Sequence, residues 1–235
     1  VPQPRLTAFV PGQLWLRDYP IRYMGTRFNA RMTVIRLAGG AVVIHSPSPF
    51  DPGLAAEVSA IGPVRAIIAP GDFHYLNVTS CKEQFPEART YICPGVDEKM
   101  PELAFDEMLG DEPPSLWADE LSQVLVTGTK RIREVLFFHR PSKTLIVVDL
   151  VENFSNQTPG TNWMLRAWFT LFRQWNRAAP APEYRTGWGD RATVRACLER
   201  ALAWDFERVV LAHGDLIVDD ARAVVEHAWR GILAH

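Results

Sequence analysis

The stretch Val64–Pro70, VRAIIAP, is apolar at almost every position. Successive side chains of a strand point to opposite faces, so a run this uniformly apolar is buried on both sides and belongs in the middle of a covered sheet. Pro70, which offers no N–H to a ladder, ends it. Residues from about Tyr75 to Gln84 can form a helix, and ARTYICPG (Ala88 to Gly95) reads as a second strand, so the segment is a β-α-β step. Upstream, RMTVIRL (Arg31 to Leu37) and AVVIHS (Ala41 to Ser46) flank Ala38-Gly39-Gly40, which is hairpin turn chemistry, and Asp51 to Ile61 reads as a short helix. From Val96 to Trp117 the chain is acidic and carries Pro101, Pro113 and Pro114, so a short helix and an irregular excursion are expected. Strands follow at Ser122 to Val126, Glu134 to Phe138 and Lys143 to Asp149, with helical stretches before and after a strand at Arg208 to Ala212. Strand pairs followed by βα steps, twice over, predict an α/β fold of two sheets packed face to face with helices outside.

A length of 235 residues with 47% hydrophobic content suits one domain spanning 1–235 with a substantial core. Lys and Arg total 25 against 27 Asp and Glu, in no basic block or acidic tail, so neither nucleic acid nor an anionic membrane is an expected partner; a small-molecule substrate or another protein is. Arg17, Arg36, Arg65, Lys143 and Arg166 interrupt every stretch that could approach a spanning helix, and the start shows no signal-peptide pattern. A soluble, cytoplasmic protein is expected. Cys81, Cys93 and Cys197 have no CxxC spacing and read as reduced core residues. The aromatic and basic segment from Asn162 to Arg177 has helical spacing and reads as a helix that covers the core with its arginines in water.

Six histidines stand at positions 45, 74, 139, 213, 227 and 235, and the first four lie at or near the ends of apolar strands. His74 follows VRAIIAP, His139 ends EVLFF, Asp149 ends TLIVVD, and His213 ends RVVLA just before a glycine. In sheets flanked by helices, ligands gather beyond the carboxyl ends of strands. Taken singly, a strand-end His is a structural residue and an Asp there is a cap. Four of them together predict a shared site, and imidazole with carboxylate suits zinc first, with iron or manganese as alternatives. No Gly-x-Ser-x-Gly elbow supports a nucleophilic serine in Ser46-Pro47-Ser48-Pro49.

FFHRPSKTLIVVDL (Phe137 to Leu150) resembles the metallo-β-lactamase pattern in which a His-bearing turn leads to a strand ending in a metal-binding Asp. RVVLAHGD (Arg208 to Asp215) is similar to the last metal motif of that superfamily, RMTVIRLAGGAVVIHSPSP resembles its opening hairpin, and IIAPGDFHYLN occupies the place of its principal metal loop. The resemblance implies an αββα four-layer sandwich with His139, Asp149, His213 and His74 as metal ligands. The principal loop departs from the His-x-His-x-Asp-His pattern, reading Pro70-Gly71-Asp72-Phe73-His74-Tyr75, which implies a subfamily with a divergent loop and one metal in place of two. His45 stands where the superfamily often has an Asp, and either a hydrogen bond behind the ligands or a structural role fits it. The implied function is a metal-dependent hydrolase acting on a small ester, lactone or thioester through a metal-bound water, with Asp72 or Asp149 placed to orient that water or take its proton and Asp72 the catalytic candidate. Asp72 equally suits a cap for a helix beginning near Tyr75. The rival reading is a non-catalytic binding protein that keeps the fold without the metal.

Overall fold

The computed structural model describes residues 5–130 and 132–234; His235 lies outside them. Two compact units interleave along the chain: Val1–Tyr19 with Arg31–Leu109, and Pro20–Ala30 with Gly110–His235.

The first unit is built on β1 (Thr7–Val10), β2 (Leu14–Tyr23), β3 (Thr26–Arg36), β4 (Val42–His45), β5 (Val64–Ala69), β6 (Arg89–Ile92) and β7 (Glu107–Met108), with helices α1 (Pro52–Ser59), α2 (Val78–Gln84) and α3 (Val96–Lys99). These strands form one seven-stranded sheet in chain order, and the tip of the β2–β3 hairpin belongs to the second unit. The β3–β4 pair is antiparallel as the Ala38-Gly39-Gly40 turn predicts, with Gly40 at a φ of 84° that favours glycine. β5 lies between β4 and β6 and is parallel to both, and every residue of it except Arg65 is buried, as its apolar run requires. Asp51 caps α1 by accepting the amide of Leu54 at 3.0 Å. Sequence periodicity missed β1 and β2, because β2 (LWLRDYPIRY) mixes charge and proline into a strand whose outer half is largely exposed.

The second unit contains β8 (Leu121–Val126), β9 (Glu134–His139), β10 (Thr144–Val147) and β11 (Arg208–Leu211) in the order β11-β10-β9-β8, with helices α4 (Trp163–Leu171), α5 (Pro182–Gly187), α6 (Arg191–Leu202) and α7 (Ala221–Leu233). One face of the sheet, including Leu136, Phe138, Leu145, Val147, Val209 and Leu211, packs on Val194, Leu198 and Ala201 of α6 and on Val225, Trp229 and Ile232 of α7. Each large side chain in that layer contributes about 1.5–3 kcal/mol by leaving water. The aromatic segment from Asn162 to Arg177 is helical only to Leu171; Arg173 and Asn176 adopt left-handed φ values of 58° and 57°. It covers a small separate cluster of Phe28, Phe154, Leu165 and Phe169, while Trp163 and Leu171 stay exposed. Asn162 ties the helix start to the hairpin tip by accepting the amide of Arg27 and donating to the carbonyl of Gly25. No helix among the described residues is long and apolar enough to cross a membrane.

The register of β9 against β10 corrects the expectation for His139. The pairing is antiparallel, with His139 opposite Thr144, so the histidine lies beside the start of β10 and not beside its end. β10 runs on from Thr144 to Val147, three residues further at about 3.3 Å each or roughly 10 Å, before the turn that carries Asp149. A hairpin sends two strand ends in opposite directions, and the sequence expectation treated them as one edge. His139 is fully buried; its Nδ1 meets Ser142 Oγ at 2.6 Å, and Ser142 Oγ meets Thr144 Oγ1 at 2.8 Å. Burial, and secondarily the charge of Arg140, holds its pKa down at about 4.

The unfolded chain takes up a proton on this imidazole near pH 6.5, whereas the folded protein does so only near 4. His139 therefore contributes stability that is fully present above pH 6.5 and erodes as pH falls towards 4, by up to about 3 kcal/mol. Urea unfolding at pH 7 and pH 4.5 should show a smaller pH-dependent loss for His139→Gln than for the wild type. An identical loss in both would place the acid lability elsewhere.

Candidate functional site

In the second unit β10 and β11 run parallel, with Val147 opposite Leu211. Asp149 and His213 each stand two residues past those last paired positions (149 − 147 and 213 − 211), so the register alone brings them to the same end of the sheet. His213 Nε2 lies 3.4 Å from Asp149 Oδ1, and both side chains are nearly buried. The other ring nitrogen, Nδ1, lies 3.2 Å from the carbonyl oxygen of Asn29, which can only accept, so Nδ1 carries the proton there. Phe28 packs edge-on against the imidazole at 5.1 Å. Gly214, at a φ of 96°, lets the chain turn away directly after His213; a Cβ at that position would stand 2.2 Å from the carbonyl oxygen of Asn153. The glycine after His213, singled out in the sequence, thus has a physical cause.

Continuing the β9–β10 register beyond its last paired residues puts Glu134, the first residue of β9, opposite Asp149. Its carboxylate accepts the backbone amides of Val148 (2.7 Å), Asp149 (3.0 Å) and Leu150 (2.8 Å), and the hydroxyl of Tyr184 donates to it at 3.4 Å. The same turn is held from outside by Trp229 Nε1, which donates to Leu150 O at 2.8 Å, and by the amide of Ala181, which donates to Asp149 O at 2.8 Å. Sequence reading passed over Glu134; the signal was an acid opening the apolar strand EVLFFH, at the position that hairpin register pairs with Asp149. Burial, then the charge of Asp149, pushes its pKa up to about 8 against the pull of the three amides. Glu152 is also buried, its Oε2 has no hydrogen-bond partner among the described residues, and burial followed by Asp149, Glu183 and Glu134 raises its pKa well above the carboxylate range.

In the first unit, His74 is buried and its Nδ1 lies 2.9 Å from Ser46 Oγ, which puts Nε2 on the far side of the ring. Ser46 holds a φ of 53°, unusual for a residue with a Cβ, and its hydroxyl is spent on orienting His74. His45 ends β4 in the core; burial, then the neighbouring His74, holds its pKa down at about 3, so the ring is neutral. The carboxylate of Asp72 pairs with Lys99 Nζ at 3.2 Å, and the same ammonium donates to the carbonyl of Asp72 at 2.8 Å while covering the ring of Phe73. Asp72 does not cap α2: that helix begins at Val78 after Asn77, whose amide donates instead to the carbonyl of Pro47. His227 lies on α7, away from these groups in the chain, and its pKa is lowered chiefly by Arg230.

Gly214→Ala should cost about 2 kcal/mol or more, since it adds both a left-handed φ penalty and a backbone collision. Chemical denaturation measures this directly; wild-type stability in the variant would contradict the close approach of Gly214 to Asn153.

No curated protein matches the sequence. Solved structures do match it along nearly its whole length. A metallo-β-lactamase from Pontibacter korlensis aligns with a TM-score of 0.64 at 11% identity, covering 98% of this chain and 99% of that one. The metallo-β-lactamase FIM-1 from Pseudomonas aeruginosa, in a mono-zinc form, gives 0.64 at 12% identity over 98% and 99%. A metallo-β-lactamase from Hirschia baltica gives 0.63 at 11% over 97% and 96%. The chain has the α/β sandwich fold of the metallo-β-lactamases, and at this identity the likeness speaks for the fold alone. Residues 11–190 match the family described as a domain of unknown function, DUF4336, and the chain belongs to that family.

Proposed function

We propose that the protein is a metal-dependent hydrolase of small esters, lactones or thioesters, with Asp149 and His213 as ligands of a divalent cation and His74 as a further one. The observation that carries this reading is the contact between His213 Nε2 and Asp149 Oδ1 at 3.4 Å. With a proton on Nδ1, the His213 Nε2 and the Asp149 carboxylate oxygen face one another as two ligands of one cation would. A charge-assisted hydrogen bond would draw the two atoms to about 2.7–2.9 Å. Two ligands at about 2.0–2.1 Å from a tetrahedral zinc sit about 3.4 Å apart, which agrees with the distance found. The carbonyl of Asn29 behind His213 supports the same reading, because ligating histidines donate their second N–H to such an acceptor. His74 Nδ1 faces the Ser46 hydroxyl, a group able to accept the same kind of hydrogen bond, which is the ground for including it.

A bound zinc, or iron or manganese in its place, would polarise the substrate carbonyl and acidify a coordinated water. The residues of the chain supply the remainder. Asn29 and Glu134 fix the donor atoms. Asp72, anchored by Lys99, takes the proton as water adds to the carbonyl carbon, and the proton passes to the alcohol or thiol that departs when its bond to that carbon breaks.

Metal analysis of protein purified without added metal should find about one ion per chain, and His213→Ala should fold yet lose it. Asp72→Asn should keep the metal while turnover on an ester and lactone panel falls roughly 100-fold or more. If the wild type binds none of zinc, iron or manganese after reconstitution, the hydrolase reading fails and the fold serves binding instead.

A further inference from the structure

The turn that carries Asp149 is stabilised in an unusual way. β10 ends at Val147, and the next three residues turn out of the ladder with their amides directed inward. Three successive buried N–H groups without acceptors would cost several kcal/mol together. Their acceptor is not a neighbouring strand but one fully buried carboxylate: Glu134 takes Val148 on Oε1 and both Asp149 and Leu150 on Oε2. We propose that Glu134 is the positioning residue of the site, the group whose bidentate grip on residues 148–150 sets the orientation in which Asp149 meets His213; its consequence for metal affinity rests on the function proposed above.

The geometry makes the carboxylate hard to replace. An amide in its place keeps one acceptor oxygen and turns an NH2 group towards at least one backbone N–H that has nothing else to bond to. If the oxygen takes the Oε1 position, two amides are stranded; if it takes the Oε2 position, Val148 is. A shorter aspartate keeps both oxygens but withdraws them by one methylene, too far to hold all three donors at 2.7–3.0 Å. In each case the turn relaxes, while the outer contacts from Trp229 and Ala181 keep the chain folded. Asp149 would then lose its 3.4 Å relation to His213 without being altered itself.

The test uses the full chain as Glu134→Gln and Glu134→Asp, with Leu198→Ala, a fully buried residue of α6, as a control for general destabilisation. Two measurements are made: amide hydrogen exchange at residues 148–150 in metal-free protein, and zinc affinity by competition with a chromophoric chelator. Exchange at those three amides should quicken at least 10-fold in the Glu134 variants relative to the control, and zinc affinity should fall roughly 10- to 100-fold, as loss of a group supporting a ligand does. The control should lose stability and retain both. Wild-type exchange in either folded Glu134 variant overturns the proposal, as does unchanged zinc affinity in a protein that binds zinc. Should the wild type take up no zinc, the metal reading falls while the exchange data still decide whether Glu134 holds the turn.

Discussion

Strand direction in the four-stranded sheet decides what can meet at the candidate site. Because β10 and β11 are parallel and in register, two residues far apart in sequence emerge side by side at their carboxyl ends. Because β9 is antiparallel to β10, its amino end arrives there too, bringing Glu134. A parallel pair needs a long crossover, and this one runs from Val148 to Glu207, taking in α4, α5 and α6. The crossover is more than a connection: it returns Ala181 to the carbonyl of Asp149, the Tyr184 hydroxyl to Glu134, and the apolar face of α6 to the sheet. Remove the parallel register and the donor pair, its support and part of the core disperse together.

Much of this is legible in the chain, for identifiable reasons. The apolar runs at Val64–Ala69 and Arg208–Leu211 are strands because nothing else buries such residues on both faces, and the structure places them so. Asp149 and His213 could be read from strand ends alone, since parallel strands share an end. His139 could not be read by that rule, because the rule fails inside a hairpin. Counting register from the Arg140–Lys143 turn would have corrected it and found Glu134 as well, since position 134 falls opposite 149 when the register that sets His139 against Thr144 is carried past the last paired residues. The aromatic segment after Asn162 shows periodicity without context: its spacing predicts the helix, but nothing in it says that the hairpin tip is what its buried side covers.

That hairpin tip explains what local reading of sequence misses. Asn29 accepts from His213 across 184 positions of chain, through a main-chain carbonyl that leaves no trace in residue type. Phe28 is visible as an apolar residue, but its role against the imidazole depends on the reach of β2 and β3. Three of the twelve Phe, Phe28, Phe154 and Phe169, build the small cluster beside His213. Trp163 and Leu171 are left outside it in solvent.

The buried acids of the second unit then impose a charge requirement on the site. Glu134 and Glu152 both lie in the core close to Asp149, and neighbouring buried carboxyl groups do not ionise alike unless donors are supplied unequally. Here they are. Glu134 is offered three backbone amides and a phenol, all of which bond better to an anion, whereas Glu152 Oε2 is offered nothing among the described residues. The proton is therefore held more firmly on Glu152 than on Glu134. Glu134 and Asp149 are joined through one short turn, with the imidazole of His213 beside Asp149. Burial first, and then the charge of Asp149, holds both glutamates towards the protonated form.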